Sequence, residues 1–271
     1  MKRRIKWKNV FMALLFLIFL IIFIISTIKI INWTIDNKKT KNQIKEIKKI
    51  AKVEKVKDNE KTEIIEQKEI KKEDPYYDFI KMDLIDVDFT KLKEKNKDTV
   101  GWIQVKGTNI NYPFVQTSNN DYYLNHSFNK KHNGAGWVFL DYRNNIENID
   151  QNTIIYAHGR LDKTMFGTLR TILKSDWLKN TNNHVIKLST ENENTLWQVF
   201  SVYKIPNTDD YLNINFNNND FIKFSNMLIK RSNYDFKTSL NENDKILTLS
   251  TCWDDNTKVV LHAKLIKKEK K

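Results

Sequence analysis

Residues Val10 to Ile31 form an apolar run interrupted only by Ser26, Thr27 and Lys29, and no other stretch of this chain is so restricted in where it can reside. At about 1.5 Å per residue a helix of this length crosses the roughly 30 Å hydrocarbon layer of a bilayer. Lys2, Arg3, Arg4, Lys6 and Lys8 precede the run, so residues 1–9 read as a basic cytoplasmic segment, 10–31 as a transmembrane anchor, and everything beyond Ile31 as extracellular. A cleaved signal peptide is the competing reading. The run is longer than an ordinary signal core and no pair of small residues succeeds it as a cleavage site, which favours an uncleaved, single-pass plasma-membrane anchor.

The chain has 271 residues and a net charge of +13, which taken whole looks like a nucleic-acid signature. The excess is concentrated in residues 1–74, with 19 Lys and Arg against 10 Asp and Glu. Residues 75–271 are close to neutral, so a basic face for phosphate contacts is not expected and no nucleic-acid partner is assigned. A single cysteine, Cys252, excludes an internal disulfide framework and any zinc site needing two thiolates. No carboxylate cluster has calcium-site spacing, so no metal and no cofactor is expected.

Residues 32–74 lack Gly and Pro and are mostly Lys, Glu and Ile, with Ile44, Ile47, Ile50, Val53 and Val56 recurring every third residue. That pattern predicts a charged, partly helical stalk, a coiled-coil partner being the alternative. Pro75 disfavours helix at Asp74 and marks the start of the extracellular domain, 75–271. Helical spacing recurs over Asp78–Lys95, Thr164–Lys179 and Asp220–Arg231. Between these lie eight short strand-like runs, beginning at Val100, Ile110, Gly136, Thr153, His184, Thr195, Lys245 and Lys258. The expected fold is mainly β with peripheral helices, an eight-stranded barrel with helices packed on it.

An unpaired cysteine in an exported domain is either an inert core residue or a reactive thiol. Cys252 ends the strand KILTLSTC and is followed by the polar turn Trp253–Thr257 and the strand KVVLHAKLI. In a hairpin that sets Cys252 opposite Lys258, the ammonium shares a face with the sulfur, favours thiolate and can face an oxyanion. Acyl transfer through a thiolate also needs an acid for the leaving amine, normally histidine. Of five histidines, His126, His132 and His184 read as surface residues, and His262 lies too far along its strand to reach the mouth. His158 comes after the apolar strand TIIYA and precedes Gly159, a strand end as Cys252 is.

The segment TLSTC (Thr248–Cys252) before KVVLHAKLI resembles the nucleophile segment of sortases, the membrane-anchored cysteine transpeptidases of Gram-positive bacteria. NNDYYLNHSF from Asn119, GWVFLDYRN from Gly136 and YAHGRLDKTMFGTL from Tyr156 are similar to class B sortases in particular, and together the motifs cover about Trp102 to Ile266. The resemblance implies a sortase β-barrel of eight strands with an N-terminal helical piece and a helix between strands 6 and 7, where Asp220–Arg231 falls. It implies cell-wall transpeptidation. Cys252 attacks the threonine carbonyl of an Asn-Pro-x-Thr-x sorting motif on client surface proteins, and His158 serves the leaving and incoming amines. The acceptor is a peptidoglycan precursor or cross-bridge amine. Asn120, Leu124, Tyr211, Leu212 and Ser250 match substrate-groove positions. The family places arginine where this chain has Lys258, which keeps the charge but loses the bidentate fork. Lys258 is expected as a weaker substitute. Help from Arg160 or Arg170, diversion of the ammonium by Asp254 and Asp255, or a weakly active or non-catalytic surface module are the alternatives. A pilin-polymerising enzyme is a further reading that no lid-like segment supports.

Overall fold

The computed structural model describes residues 6–65, 77–217, 220–254 and 256–271. Helix α1 (Trp7–Ile50) is continuous, and from Val10 to Ile31 its large apolar side chains point outward, uncovered by the rest of the described chain. By length and composition it is able to cross a membrane. Its second half is docked instead. Ile47 is buried, and Ile44 and Ile50 pack against the hydrophobic core.

The stalk expected over 32–74 is therefore only partly realised. The chain leaves the helix at Ala51 and forms β1 (Val53–Val56) and β2 (Thr62–Ile64), both joined to the folded body; Pro75 lies outside the described residues. Every-third spacing cannot separate a solvated helix from a helix packed along one stripe and followed by a strand, and Val53 and Val56 are β-branched residues suited to the strand. The helix expected over Asp78–Lys95 is likewise broken. It resolves into a single 3₁₀ turn (Phe79–Lys81), β3 (Leu84–Val87) antiparallel to β1, and the short helix α2 (Thr90–Lys95).

The barrel strands are β4 (Thr99–Val105), β5 (Asn111–Val115), β6 (Phe139–Leu140), β7 (Asn152–Tyr156), β8 (Val185–Ser189), β9 (Glu193–Pro206), β10 (Ile246–Cys252) and β11 (Thr257–Lys270). They pair in the order β10-β7-β6-β5-β4-β8-β9-β11, and β10 with β11 closes the ring of eight, leaving β2 as an added strand on β11. Closure removes free sheet edges. Each of the eight sequence runs contributes one strand, although GWVFL supplies only two ladder residues.

Inside the ring pack Phe114, Trp197, Leu249 and Leu261, all essentially inaccessible. Helix α4 (Asp220–Arg231) connects β9 to β10, the sixth and seventh barrel strands, and seats Phe221, Phe224 and Leu228 in a second cluster with Phe200, Tyr203, Tyr211 and Val260. The helical stretch expected over Thr164–Lys179 consists of a 3₁₀ segment (Gly167–Thr171) and one turn of helix, α3 (Ser175–Leu178).

Candidate active site

Two strand ends build the site. β7 and β10 run parallel in a register that pairs Thr248 with Ile154 and Ser250 with Tyr156. Two residues further on each strand come His158 and Cys252, so the parallel register carries both to the same rim of the barrel. The approach is close. A side chain at Gly159 would meet the Cys252 carbonyl oxygen at 2.1 Å, so only glycine lets the β7 exit lie against the cysteine. Thr251 Oγ1 donates to the Ala157 carbonyl at 2.8 Å and laces the two ends together.

Cys252 is exposed and unpaired, and faces Lys258 as its register partner across the β10–β11 hairpin. Lys258 is 21% exposed, its Nζ lies 3.8 Å from Asp209 Oδ1 and 5.9 Å from the centre of the Tyr211 ring. Asp254 does not divert it, being paired with Lys204 at 3.5 Å; Asp255 lies outside the described residues.

His158 is half-buried and its Nε2 lies 2.7 Å from the Leu124 carbonyl. A carbonyl only accepts, so Nε2 carries the proton in this geometry and Nδ1 is the nitrogen left for exchange. The ring rests over Gly136, which has φ of +60° and where a side chain would meet the Tyr123 carbonyl at 2.5 Å and His158 Cδ2 at 3.1 Å. Beyond it the loop folds back through a bridge between Gly159 and Met165.

The five groove positions divide. Tyr211 and Ser250 are buried and share a hydrogen bond of 2.9 Å between their hydroxyls, forming a floor behind the rim. Burial pushes the Tyr211 phenol up to about 12, so it stays a neutral hydroxyl. Leu124 is exposed and Leu212 half-buried. Asn120 spends its amide internally, donating to Asp141 at 3.1 Å and accepting from the Tyr142 amide at 3.0 Å.

Sequence reading missed the group that Asn120 joins. Asp141 is fully buried and accepts from Arg143 Nε at 2.9 Å and Nη2 at 2.8 Å, and from the Tyr156 hydroxyl at 2.9 Å. Burial would raise this carboxyl, but the Arg143 and Tyr156 bonds outweigh it and hold it below the ordinary carboxylate value. Arg143 also donates to the Leu212 carbonyl at 3.2 Å, tying this network to the groove. The motif DYRN contains the pair, but nothing in its spacing shows the carboxylate turning inward.

The two arginines named as alternative helpers have defined tasks. Arg170 Nη2 donates to the Trp253 carbonyl at 2.7 Å and its guanidinium stacks 4.5 Å from that indole, with Lys204 at 4.7 Å from the same ring. It thus holds the residue after Cys252. Arg160 turns the other way, toward Asp162 at 3.4 Å, Thr164 at 3.2 Å and Asn37 of α1. Asp36 Oδ2 accepts from the Gly134 amide at 3.1 Å, and Asn133 donates to Thr40 at 3.2 Å, so α1 grips both loops that flank His158.

Of the other histidines, His262 and His184 are fully buried. The second departs from the surface position expected for it, because it lies between Trp177 and Phe236, and burial lowers it to about 4. His132 is exposed, and His126 stacks on Tyr122 at 4.0 Å. Among the described residues, no three His, Cys, Asp or Glu side chains gather as a metal-ligand set.

A closed eight-stranded barrel bearing an exposed thiol, an imidazole and an ammonium at one rim defines a protein built for cysteine-based acyl transfer. The sortase domain family matches residues 103–266, and this chain belongs to that family of cysteine transpeptidases. It is 37% identical to Sortase B of Staphylococcus aureus (strain NCTC 8325 / PS 47) over 184 residues, 66% of this chain and 75% of the relative. A solved Staphylococcus aureus sortase B–substrate complex superposes with a TM-score of 0.62 at 36% identity, over 66% of this chain and 84% of that one. A sortase B structure complexed with triglycine matches with the same score and identity, over 66% and 85% of the two chains.

Proposed function

We propose that this chain is a membrane-anchored class B sortase that cleaves a C-terminal Asn-Pro-x-Thr-x motif on client proteins and joins the new carboxyl end to a cell-wall amine. Residues 10–31 hold it in the plasma membrane with residues 1–9 inside and the barrel outside. The Cys252 thiolate attacks the threonine carbonyl, and the carbonyl π electrons move to oxygen. Lys258 faces that oxyanion. Collapse of the tetrahedral adduct breaks the C–N bond, His158 gives its proton to the departing amine, and a thioester remains on Cys252. An incoming peptidoglycan amine then loses a proton to His158 and displaces the thiolate, forming the new amide. Leu124 and Leu212 offer apolar contacts to the motif, while Asn120, Tyr211 and Ser250 shape the groove from below.

The observation that carries this reading is the parallel β7–β10 register, which brings His158 level with Cys252. The substrate and triglycine complexes of related sortase B proteins support a peptide donor and an amine acceptor of the same kinds. The test is incubation of the full chain, in detergent or nanodiscs, with motif peptides and triglycine, followed by mass spectrometry. A thioacyl adduct on Cys252 that triglycine discharges as an amide is expected. Absence of any adduct, while an alkylating reagent still labels Cys252, would overturn the assignment.

A further inference from the structure

A large cleft lies away from the thiol, between the second half of α1 and the outer face of the barrel, with a volume of about 1210 Å³. Its lining is lopsided, with eight lysines against three carboxylates and no arginine. Lys41, Lys45 and Lys48 recur on one face of α1 at helical spacing and so project together. Lys55 comes from β1, Lys106 lies just beyond β4, and Lys187 stands on β8 opposite Gln104. The three acids are Glu54, Asp83 and Asp162, the last already engaged by Arg160 and Thr164.

Ion pairing is common elsewhere on this protein, yet none of those six lysines enters a salt bridge among the described residues. Lys187 is half-buried in the wall, where burial and the nearby Lys106 push its ammonium below the ordinary lysine value against the weaker pull of Asp83. Gathering like charges in one cleft is unfavourable unless an anion completes it, and low-dielectric walls focus the resulting field.

We propose that this cleft is a binding site for a linear phosphate-bearing polyanion. Lysine supplies point charges suited to phosphate oxygens, and the cleft lacks the planar arginine fork that grips carboxylates and phosphates alike in bidentate fashion. A polymer fits better than a single phosphate. Lys41 to Lys48 spans about 10 Å along the helix, and the volume exceeds the roughly 300–1,000 Å³ of ordinary small-ligand sites. Such a ligand would tether the outer half of α1 to the barrel, independently of any chemistry at Cys252.

The test uses the full chain in nanodiscs of neutral lipid, with fluorescently labelled inorganic polyphosphate as probe and anisotropy as readout at several salt concentrations. Saturable binding is expected, with an affinity that falls as salt rises in proportion to the number of phosphates engaged. Lys45→Glu with Lys48→Glu, both at exposed positions, should weaken it at least about tenfold, whereas Lys223→Glu with Lys230→Glu on α4, an equal change in net charge, should alter it less than about twofold. Lys187→Met gives a second, uncharged probe of the inner wall and should also weaken binding. Equal losses in both double variants would show a response to net charge alone and sink the site. Absence of saturable binding would do the same, and polyglutamate binding as tightly as polyphosphate would overturn the phosphate assignment.

Discussion

Replacement of Lys258 tests the proposed chemistry most directly, because Lys258 is the register partner of Cys252 across the hairpin. In Lys258→Met the stem and its packing are kept and the charge is lost. A charge-assisted hydrogen bond to the oxyanion contributes about 1.5–3 kcal/mol, equivalent to a fall in kcat of roughly 10- to 150-fold. The competing Asp209 contact is long, at 3.8 Å, and Asp209 is 87% exposed, so it is worth no more than about 1 kcal/mol. Removing it with Asp209→Asn should therefore raise the rate by less than about fivefold. Lys258→Arg restores a second parallel donor and should raise kcat by roughly a further factor of ten, provided the fork is accommodated above Tyr211. The assay is cleavage of a fluorogenic motif peptide with triglycine as acceptor, run alongside thermal melts. A Lys258→Met rate within about threefold of the parent, less than one such hydrogen bond supplies, would refute oxyanion stabilisation by this residue.

Three further outcomes are expected. Arg170→Leu should lower kcat by about tenfold or more, since it removes both the hydrogen bond and the stacking that hold Trp253 beside the nucleophile; unchanged peptide turnover would show that the clamp is incidental. Asn37→Ala in the full chain should lower kcat with KM and melting temperature little changed, and Asn37→Asp should rescue it by pairing with Arg160; equal activity of all three would dissociate α1 from the His158 loops. His262 governs acid stability. Thr248 Oγ1 donates to Asn152 at 2.7 Å and so accepts from His262 Nδ1 at 2.9 Å, while Nε2 accepts from the Tyr203 hydroxyl at 2.8 Å. Burial first, and the Arg231 charge second, lower this imidazole from 6.5 to about 3. The unfolded chain binds the extra proton between those values, so stability is full above about pH 6.5 and is lost as the pH falls toward 3. Urea midpoints measured from pH 7 to 4 should fall in the parent and fall less in His262→Gln; parallel curves would count against the linkage.

The barrel is legible in the sequence because its signal is local. Each strand carries its own β-branched and aromatic residues, and turn residues separate the runs. The hairpin register of Cys252 with Lys258 and the strand-end position of His158 are legible for the same reason. The features that escape such reading are long-range. Nothing near Arg170 announces Trp253, 83 residues away, and nothing near Asn37 announces Arg160, 123 residues away. The stalk differs from expectation because Ile44, Ile47 and Ile50 look alike whether their stripe meets water, a partner helix or this barrel. His184 differs because the residue that opens a strand is exposed only when no neighbouring segment covers it, and Phe236 does so.

Helix α1 contains neither glycine nor proline between Trp7 and Ile50, and it is fastened to the barrel from Asp36 onward. Only about 7.5 Å of helix separates Ile31 from Asp36. With the apolar half in a bilayer, the catalytic mouth is carried on a rigid mast at a nearly constant, low altitude, and it turns only as the mast turns. If residues 10–31 anchor the chain as proposed, its proposed clients and acceptors must be delivered close to the lipid headgroups, and their own tethers set which of them can meet the thiol.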